Sequence, residues 1–299
     1  MSTQPFGENL PKLRKSDWEL DFYSRPIMEP DGKKRWELLI SSSEPFKGEK
    51  PFRWEKRCPA SEVNSIWLSK ALQEAIDAAK EEGWEKPLRL RCWRTSMKTM
   101  IAKAAVKVEI EVVSSRRTFS LLDWIIQREK DLYPNQEGYI TGPIAPPPAQ
   151  IVNQPEPLPE AVRGDALSFA WLPLGMLLEA DEWPIEFSGL LPIKQTNDPS
   201  LNIPGLRLFS KTRALALAGW LGGLEPVKLL IEGNQLLLEA GQDDRWLVTD
   251  MSPQAANEAK QAFTTSREKA GGIQFISVQT TPQEEKFAGF WMLRDMPDY

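Results

Sequence analysis

Nine cations crowd one stretch of this 299-residue chain: Lys86, Arg89, Arg91, Arg94, Lys98, Lys103, Lys107, Arg116 and Arg117, opposed there only by Glu109 and Glu111. Trp93 lies inside the run. If PLRLRCWR is a strand, Arg89, Arg91 and Trp93 share one face, because strand side chains alternate. Cations for phosphates beside an aromatic plate for an unpaired base are the requirements for holding single-stranded RNA. The same residues also suit a solvated surface with Trp93 tucked beneath it.

Catalytic chemistry finds less support. Histidine is absent, which removes Ser-His-Asp and Cys-His nucleophile pairs and His-ligated metal sites. Asp21 and Glu74 could begin a Mg²⁺ site of the two-metal nuclease type. The strand that should complete it, PLRLRCWR, offers Arg and Trp instead of an acid. Asp21 is therefore expected to pair with a neighbouring cation, and no enzyme is expected. Asp250, alone at a strand end, suits a turn or cap. Cys58 and Cys92 make no metal-spaced cluster and read as small, semi-buried residues of a reducing compartment. Neither GxGxxG nor GxxxxGK[ST] occurs; Gly219, Gly222 and Gly223 read as a helix end and turn. No cofactor and no metal are expected.

The elements that must position these groups are legible from periodicity. Trp18, Leu20 and Phe22 alternate with Glu19, Asp21 and Tyr23, and Trp36, Leu38 and Ile40 with Arg35, Glu37 and Leu39. Two strands with one buried face are expected, joined by a turn at Pro30-Asp31-Gly32. Further strands are expected near 52–57, 87–93 and 106–113. Helices are expected at about 62–82, capped by Ser61 and closed by Gly83, at 96–105 and at 118–131. Three antiparallel strands followed by alternating helices and parallel strands resemble the ribonuclease H-like order, without its catalytic acids.

In the second half, Ala166–Leu178 reads as a helix broken at Pro173. A strand near 185–193 follows, then a helix near 211–222 with Ser210 as cap and Gly222-Gly223 at its end. Strands at 227–232, 235–240, 245–249, 273–279 and 287–293 surround a helix at 253–269, capped by Ser252 with Pro253 at its first position. The fold class is mixed α/β in two domains: 1–142 with the basic face, a Pro-rich linker at 143–160, and 161–299 ending in the FWML strand. Residues 1–150 carry 25 Lys/Arg against 22 Asp/Glu, and residues 151–299 carry 12 against 20. An acidic net charge thus conceals a mildly basic first half.

The words WELDFYSRP and WELLI in the hairpin, PLRLRCWR, and FWML near the C-terminus resemble the TAB-two/ATAB-two family of cyanobacteria, algae and plants. The resemblance implies an RNA-binding factor for expression of photosystem reaction-centre subunits. That family carries a Trp-Leu-Leu tripeptide linked to RNA binding, which reads Trp291-Met292-Leu293 here. Trp291 could then stack on a base and Arg294 meet a phosphate; alternatively Trp291 packs the last strand into the core. The candidate RNA contacts are Arg89, Arg91, Trp93, Arg94, Lys98, Lys103, Arg116, Arg117, Trp291, Met292, Leu293 and Arg294.

The expected partner is single-stranded RNA, with an A/U-rich mRNA leader as one candidate, and translation or photosystem-assembly proteins beside it; no DNA and no membrane span are expected. The start MSTQPFGENLPKLRK lacks a signal-peptide core, pointing to a bacterial, cyanobacterial-type cytoplasmic protein. The alternatives are an assembly scaffold without RNA contact and a divergent Mg²⁺-dependent nuclease.

Overall fold

The computed structural model describes residues 14–45, 48–141, 153–193 and 198–296. The first half runs β1 (Trp18–Met28), β2 (Lys34–Ser42), β3 (Arg53–Cys58), α1 (Ser65–Glu81), β4 (Arg89–Cys92), α2 (Lys98–Val106), β5 (Glu111–Ser114) and α3 (Phe119–Gln127), which continues as one π-turn over Arg128–Leu132. The sheet order is β3-β2-β1-β4-β5. The first three strands are antiparallel, whereas β4 and β5 run parallel to β1. This is the order of elements read from the sequence. The β1–β2 turn also forms as expected, with Gly32 at φ +75° and the Asp31 carboxylate accepting from the Lys33 amide at 3.1 Å.

One face of this sheet is apolar. Trp18, Leu20, Phe22, Leu38, Ile40, Leu90 and Cys92 pack against Leu68, Leu72 and Ala75 of α1 and Ile101, Ala104 and Ala105 of α2. Each large apolar side chain withdrawn from water there contributes roughly 1.5–3 kcal/mol. The alternation suggested that the other face meets solvent. It does not: Glu19, Asp21 and Glu37 are at most 3% exposed. Covering them are α3, whose Leu121 and Ile125 pack on Leu39, and the second half of the chain.

The second half comprises β6 (Glu156–Pro157), β7 (Ala166–Pro173), α4 (Leu174–Leu177), β8 (Ile185–Gly189), β9 (Asn202–Phe209), α5 (Ala214–Leu224), β10 (Pro226–Glu232), β11 (Gln235–Ala240), β12 (Asp244–Asp250), α6 (Pro253–Lys269), β13 (Ile273–Gln279) and β14 (Phe287–Arg294). Its described residues form a five-stranded sheet, β7-β9-β13-β14-β8, and a four-stranded sheet, β10-β11-β12-β6.

Some expectations need correction. Ala166–Pro173 is a strand, because β9 offers it an antiparallel partner along its whole length; only Leu174–Leu177 is helical. A short apolar run suits either state, and pairing decides. Residues 106–110 end α2 and turn, so β5 begins at Glu111 rather than 106. Asn64, not Ser61, caps α1, its carboxamide oxygen accepting from the Ile66 and Trp67 amides at 2.9 Å. Ser210 caps nothing, since α5 starts at Ala214; nor do Gly222-Gly223 end it, since the chain leaves α5 at Glu225, in the left-handed region at φ +57°. Ser252 and Pro253 start α6 as expected. Most of the Pro-rich tract lies outside the described residues; Glu156–Pro157 adds a short parallel edge to β12.

Candidate nucleic-acid interface

Arg89 and Arg91 project from the covered, polar face of the first sheet, opposite α1 and α2. Arg91 makes a two-pronged ion pair with Glu225, Nε to Oε2 at 2.5 Å and Nη2 to Oε1 at 3.0 Å, and reaches Asp17 at 3.0 Å. Arg89 pairs with Asp17 at 2.6 Å and remains two-fifths exposed. Ser115 donates to Glu225 at 3.0 Å. Glu225, the left-handed residue that ends α5, is thus the post around which the two halves meet. Burial opposes its charge, but hydrogen bonding and attraction from Arg91, with help from Arg117, hold its carboxyl below the ordinary range.

Arg117 crosses the same junction without a carboxylate in ion-pair reach among the described residues. It donates to the carbonyls of Pro226 at 2.6 Å, Met292 at 3.2 Å and Gly189 at 3.3 Å. Burial pulls its pKa down to about 10. Arg116 pairs with Glu239 at 2.7 Å, and Arg294 forms a fork with Asp123 at 2.7 and 2.9 Å. Arg94 bonds Asp21 at 2.6 Å and lies 4.0 Å over both the Tyr23 and Trp93 rings. Arg25 completes the Asp21 site at 2.9 Å. Desolvation raises the Asp21 carboxyl, but Arg94 and Arg25 outweigh it and hold it below its ordinary value. The expected cation partner for Asp21 is present, and Glu74 bonds Lys56 instead. No cluster of three or more His, Cys, Asp or Glu suited to a metal exists among the described residues. Burial pushes the Cys58 and Cys92 thiols up to about 12 and about 11, so neither is a ready nucleophile.

The lysines lie elsewhere. Lys98 and Lys103 stand exposed on α2, on the opposite side of the sheet, with no carboxylate in ion-pair reach among the described residues. The basic run therefore divides: Arg89, Arg91, Arg116 and Arg117 lie at the junction, Arg94 bonds Asp21 within the first half, and Lys98 and Lys103 point to solvent. Trp93 is half-buried just beyond β4, its carbonyl accepting from Gln242 at 2.7 Å.

Trp291 is 4% exposed, and Met292 and Leu293 are fully buried. Glycines make the seat for the indole. A Cβ at Gly289 would overlap the ring, one at Gly189 would stand 2.6 Å from its Cδ1, and one at Gly222 would be in ordinary contact at 3.6 Å. The structure thus matches the core-packing alternative for Trp291, and Gly222 belongs to the interior of α5.

Between the halves lies a cavity of about 640 Å³. Asp17, Glu19, Arg89, Arg91, Arg117 and Phe119 line it from the first half, and Phe187, Leu190, Leu191, Gly223, Glu225, Trp291 and Arg294 from the second. Glu19 accepts from the Leu121 amide at 2.8 Å and from Ser43 at 2.9 Å. It therefore does for the start of α3 what a cap residue would do, since Thr118 makes no such bond. Burial raises its pKa to about 7, against the opposing pull of these bonds and of Arg91 and Arg117. Sequence reading missed Glu19, Asp17, Asp123, Phe187 and Glu225. Only the polar row of β1 carried a signal; Glu225 sits in an unremarkable Leu-Glu-Pro.

Comparisons with known proteins agree with this two-part architecture. Residues 17–128 match the family model described as RNA-binding protein Tab2/Atab2 N terminal, and residues 146–294 match RNA-binding protein Tab2/Atab2, C-terminal domain. A chloroplastic TAB2 homolog of Zea mays is 30% identical over 293 residues, covering 94% of this chain and 72% of the relative. The chloroplastic TAB2 homolog of Arabidopsis thaliana is 30% identical over 294 residues, covering 94% and 75%. With both models matched in order along one chain, and two relatives aligned through both halves and the junction between them, this protein belongs to the Tab2/Atab2 family.

Proposed function

We propose that this protein binds single-stranded RNA without catalysing its cleavage, and that it serves expression of photosystem reaction-centre subunits. The supporting observation is membership, over both halves, of a family described as RNA-binding. In this reading Lys98, Lys103 and Arg89 are the phosphate contacts, because they are the candidate cations most open to solvent. Arg91, Arg116, Arg117 and Arg294 act behind them by joining the two halves and Arg94 by stiffening the first through Asp21, with Trp93, Trp291, Met292 and Leu293 as packing. An A/U-rich mRNA leader, contact with the translation machinery and a bacterial cytoplasmic setting belong to the same proposal; the two relatives are named chloroplastic. No helix among the described residues is long and apolar enough to cross a membrane.

The test is equilibrium binding to unstructured RNA, A/U-rich against G/C-rich, across a salt series. Submicromolar binding with a steep salt slope is the expected result. Lys98→Gln with Lys103→Gln should weaken binding and lower the slope by about 1.4, at roughly 0.7 per phosphate contact on a single strand. Absence of binding at low salt rejects the reading in favour of the protein scaffold. Mg²⁺-dependent cleavage lost in Asp21→Asn would favour the nuclease instead.

A further inference from the structure

We infer that the cavity between the two halves seats one unstacked nucleotide of a bound single strand. The inference rests on the RNA-binding reading and gives it a place. Its first support is the pairing of unlike walls. The second half contributes Phe187, an aromatic residue left 43% exposed on the cavity wall, beside Leu190 and Leu191. The first half contributes buried polar groups and the partly exposed Arg89. A flat apolar wall with a few fixed polar groups is the usual make-up of a small-molecule site, and about 640 Å³ falls within the usual range. A nucleotide has the same division: a ring face to stack, ring edges to hydrogen-bond and a phosphate to pair.

Arg117 supplies a second support. It is 8% exposed and lines the cavity, and its hydrogen bonds run to three backbone carbonyls. A buried guanidinium held directly by neutral carbonyls, with Glu225 and Glu19 feeling its charge but not in ion-pair contact, brings a positive field to the cavity wall. Glu19, 2% exposed on the same floor, already accepts from Leu121 and Ser43, and its remaining lone pairs can accept from a ring edge.

The third support is independent of charge. Helix α5 contains Gly219, Gly222 and Gly223 in eleven residues, and each interior glycine costs a helix roughly 0.5–1 kcal/mol relative to Ala. Packing demands glycine at none of the three, and all three line the cavity. A Cβ at Gly219 would contact Phe187 at 3.7 Å, and one at Gly222 would contact Trp291 at 3.6 Å. Gly223 has no such neighbour: a Cβ there meets nothing within 4 Å, its φ is not left-handed, and it lines the cavity. Its missing side chain leaves room that no protein atom uses.

Gly223→Leu and Phe187→Ala test this on the full chain. The first fills the cavity from a helical position with open space around it, and the second removes the stacking plate. Anisotropy of a labelled single-stranded RNA should show affinity weakened about tenfold or more by either change, because one stacked base contributes about that much. The salt slope should not change, since no phosphate contact is removed. Thermal unfolding serves as the folding control. If either variant stays folded with undiminished RNA affinity, the inference is overturned while RNA binding through α2 stands. If the unaltered protein binds no RNA, both fall. Should both variants unfold, photocross-linking of 4-thiouridine RNA to the unaltered protein decides. Adducts on peptides spanning 185–192 or 219–226 support the seat, and adducts confined to α2 overturn it.

Discussion

At the scale of single residues, the junction is ruled by what burial does to charge. Glu225 and Arg91 are each at most 9% exposed, so removing one leaves the other without its two-pronged partner, with only Asp17 remaining for Arg91 and Arg89 for Glu225 as ion-pair partners among the described residues. Glu225→Ala should cost about 3–5 kcal/mol in denaturant unfolding. Arg91→Met combined with Glu225→Gln should cost less than the sum of the single changes, because the pair is removed together. A purely additive result would show that the two side chains do not interact.

Glu19 acts in the opposite direction. Its pKa is raised from 4.5 to about 7, so the folded chain holds a proton that the unfolded chain releases. Its contribution to stability is complete below about pH 4.5 and is lost as pH rises through 7, by on the order of 3 kcal/mol at most. Asp21 and Glu225, held below their ordinary values, contribute above those values and lose their contribution as pH falls. Glu19→Gln keeps an acceptor for the Leu121 amide and removes the titration. Unfolding free energy measured from pH 5 to 8 should then fall less steeply than in the unaltered protein. An identical slope would remove Glu19 as its source.

At the scale of elements, glycine and cap positions carry the strongest local information. Gly189→Ala would push a methyl to 2.6 Å from the Trp291 ring and 3.0 Å from Arg117. Overpacking of this kind costs typically about 1–3 kcal/mol, visible as a lower melting temperature. At the start of α1, Asn64→Ala should cost about 1 kcal/mol, whereas Ser61→Ala should stay within about 0.5 kcal/mol. Equal effects would contradict the assignment of the cap. The Asn64 cap was hidden in sequence because Ser61 and Asn64 are both cap-forming types three residues apart; Ser61 falls inside a separate 3₁₀ turn at Ala60–Glu62.

At the scale of the molecule, the two halves share buried ion pairs and a chain of Arg117–carbonyl bonds, so they should unfold together. Calorimetry should show one transition for the unaltered protein and a broadened or split one for Glu225→Ala. Two resolved transitions in the unaltered protein would mean that the junction does not couple the halves. The same geometry bears on any charge-reversal study. Reversing Arg91 would place a buried carboxylate against Glu225 and Asp17, confounding loss of RNA with loss of fold, whereas Lys98 and Lys103 can be changed cleanly.

The sequence by itself determined the local elements and the family. Period-two alternation in β1 and β2, the Asp31-Gly32 turn, the apolar stripe of α1 and the Ser252-Pro253 start of α6 depend on neighbours a few residues away, and all are present. The words of the hairpin and of FWML were enough to identify the relatives. Only the tertiary structure decided what lies across the polar face of the first sheet. Glu19, Asp21, Arg89 and Arg91 look like solvent residues in sequence because alternation reports which side of a strand a residue takes, not what covers that side. Their partners Glu225, Arg117 and Arg94 come from distant or differently folded segments. Ala166–Pro173 became a strand for the same reason: β9, more than thirty residues further on, offers it the hydrogen bonds that a helix would otherwise have supplied. The division of one basic run into ion-paired, mostly covered arginines and exposed lysines follows from packing between distant segments, a property that no local pattern encodes.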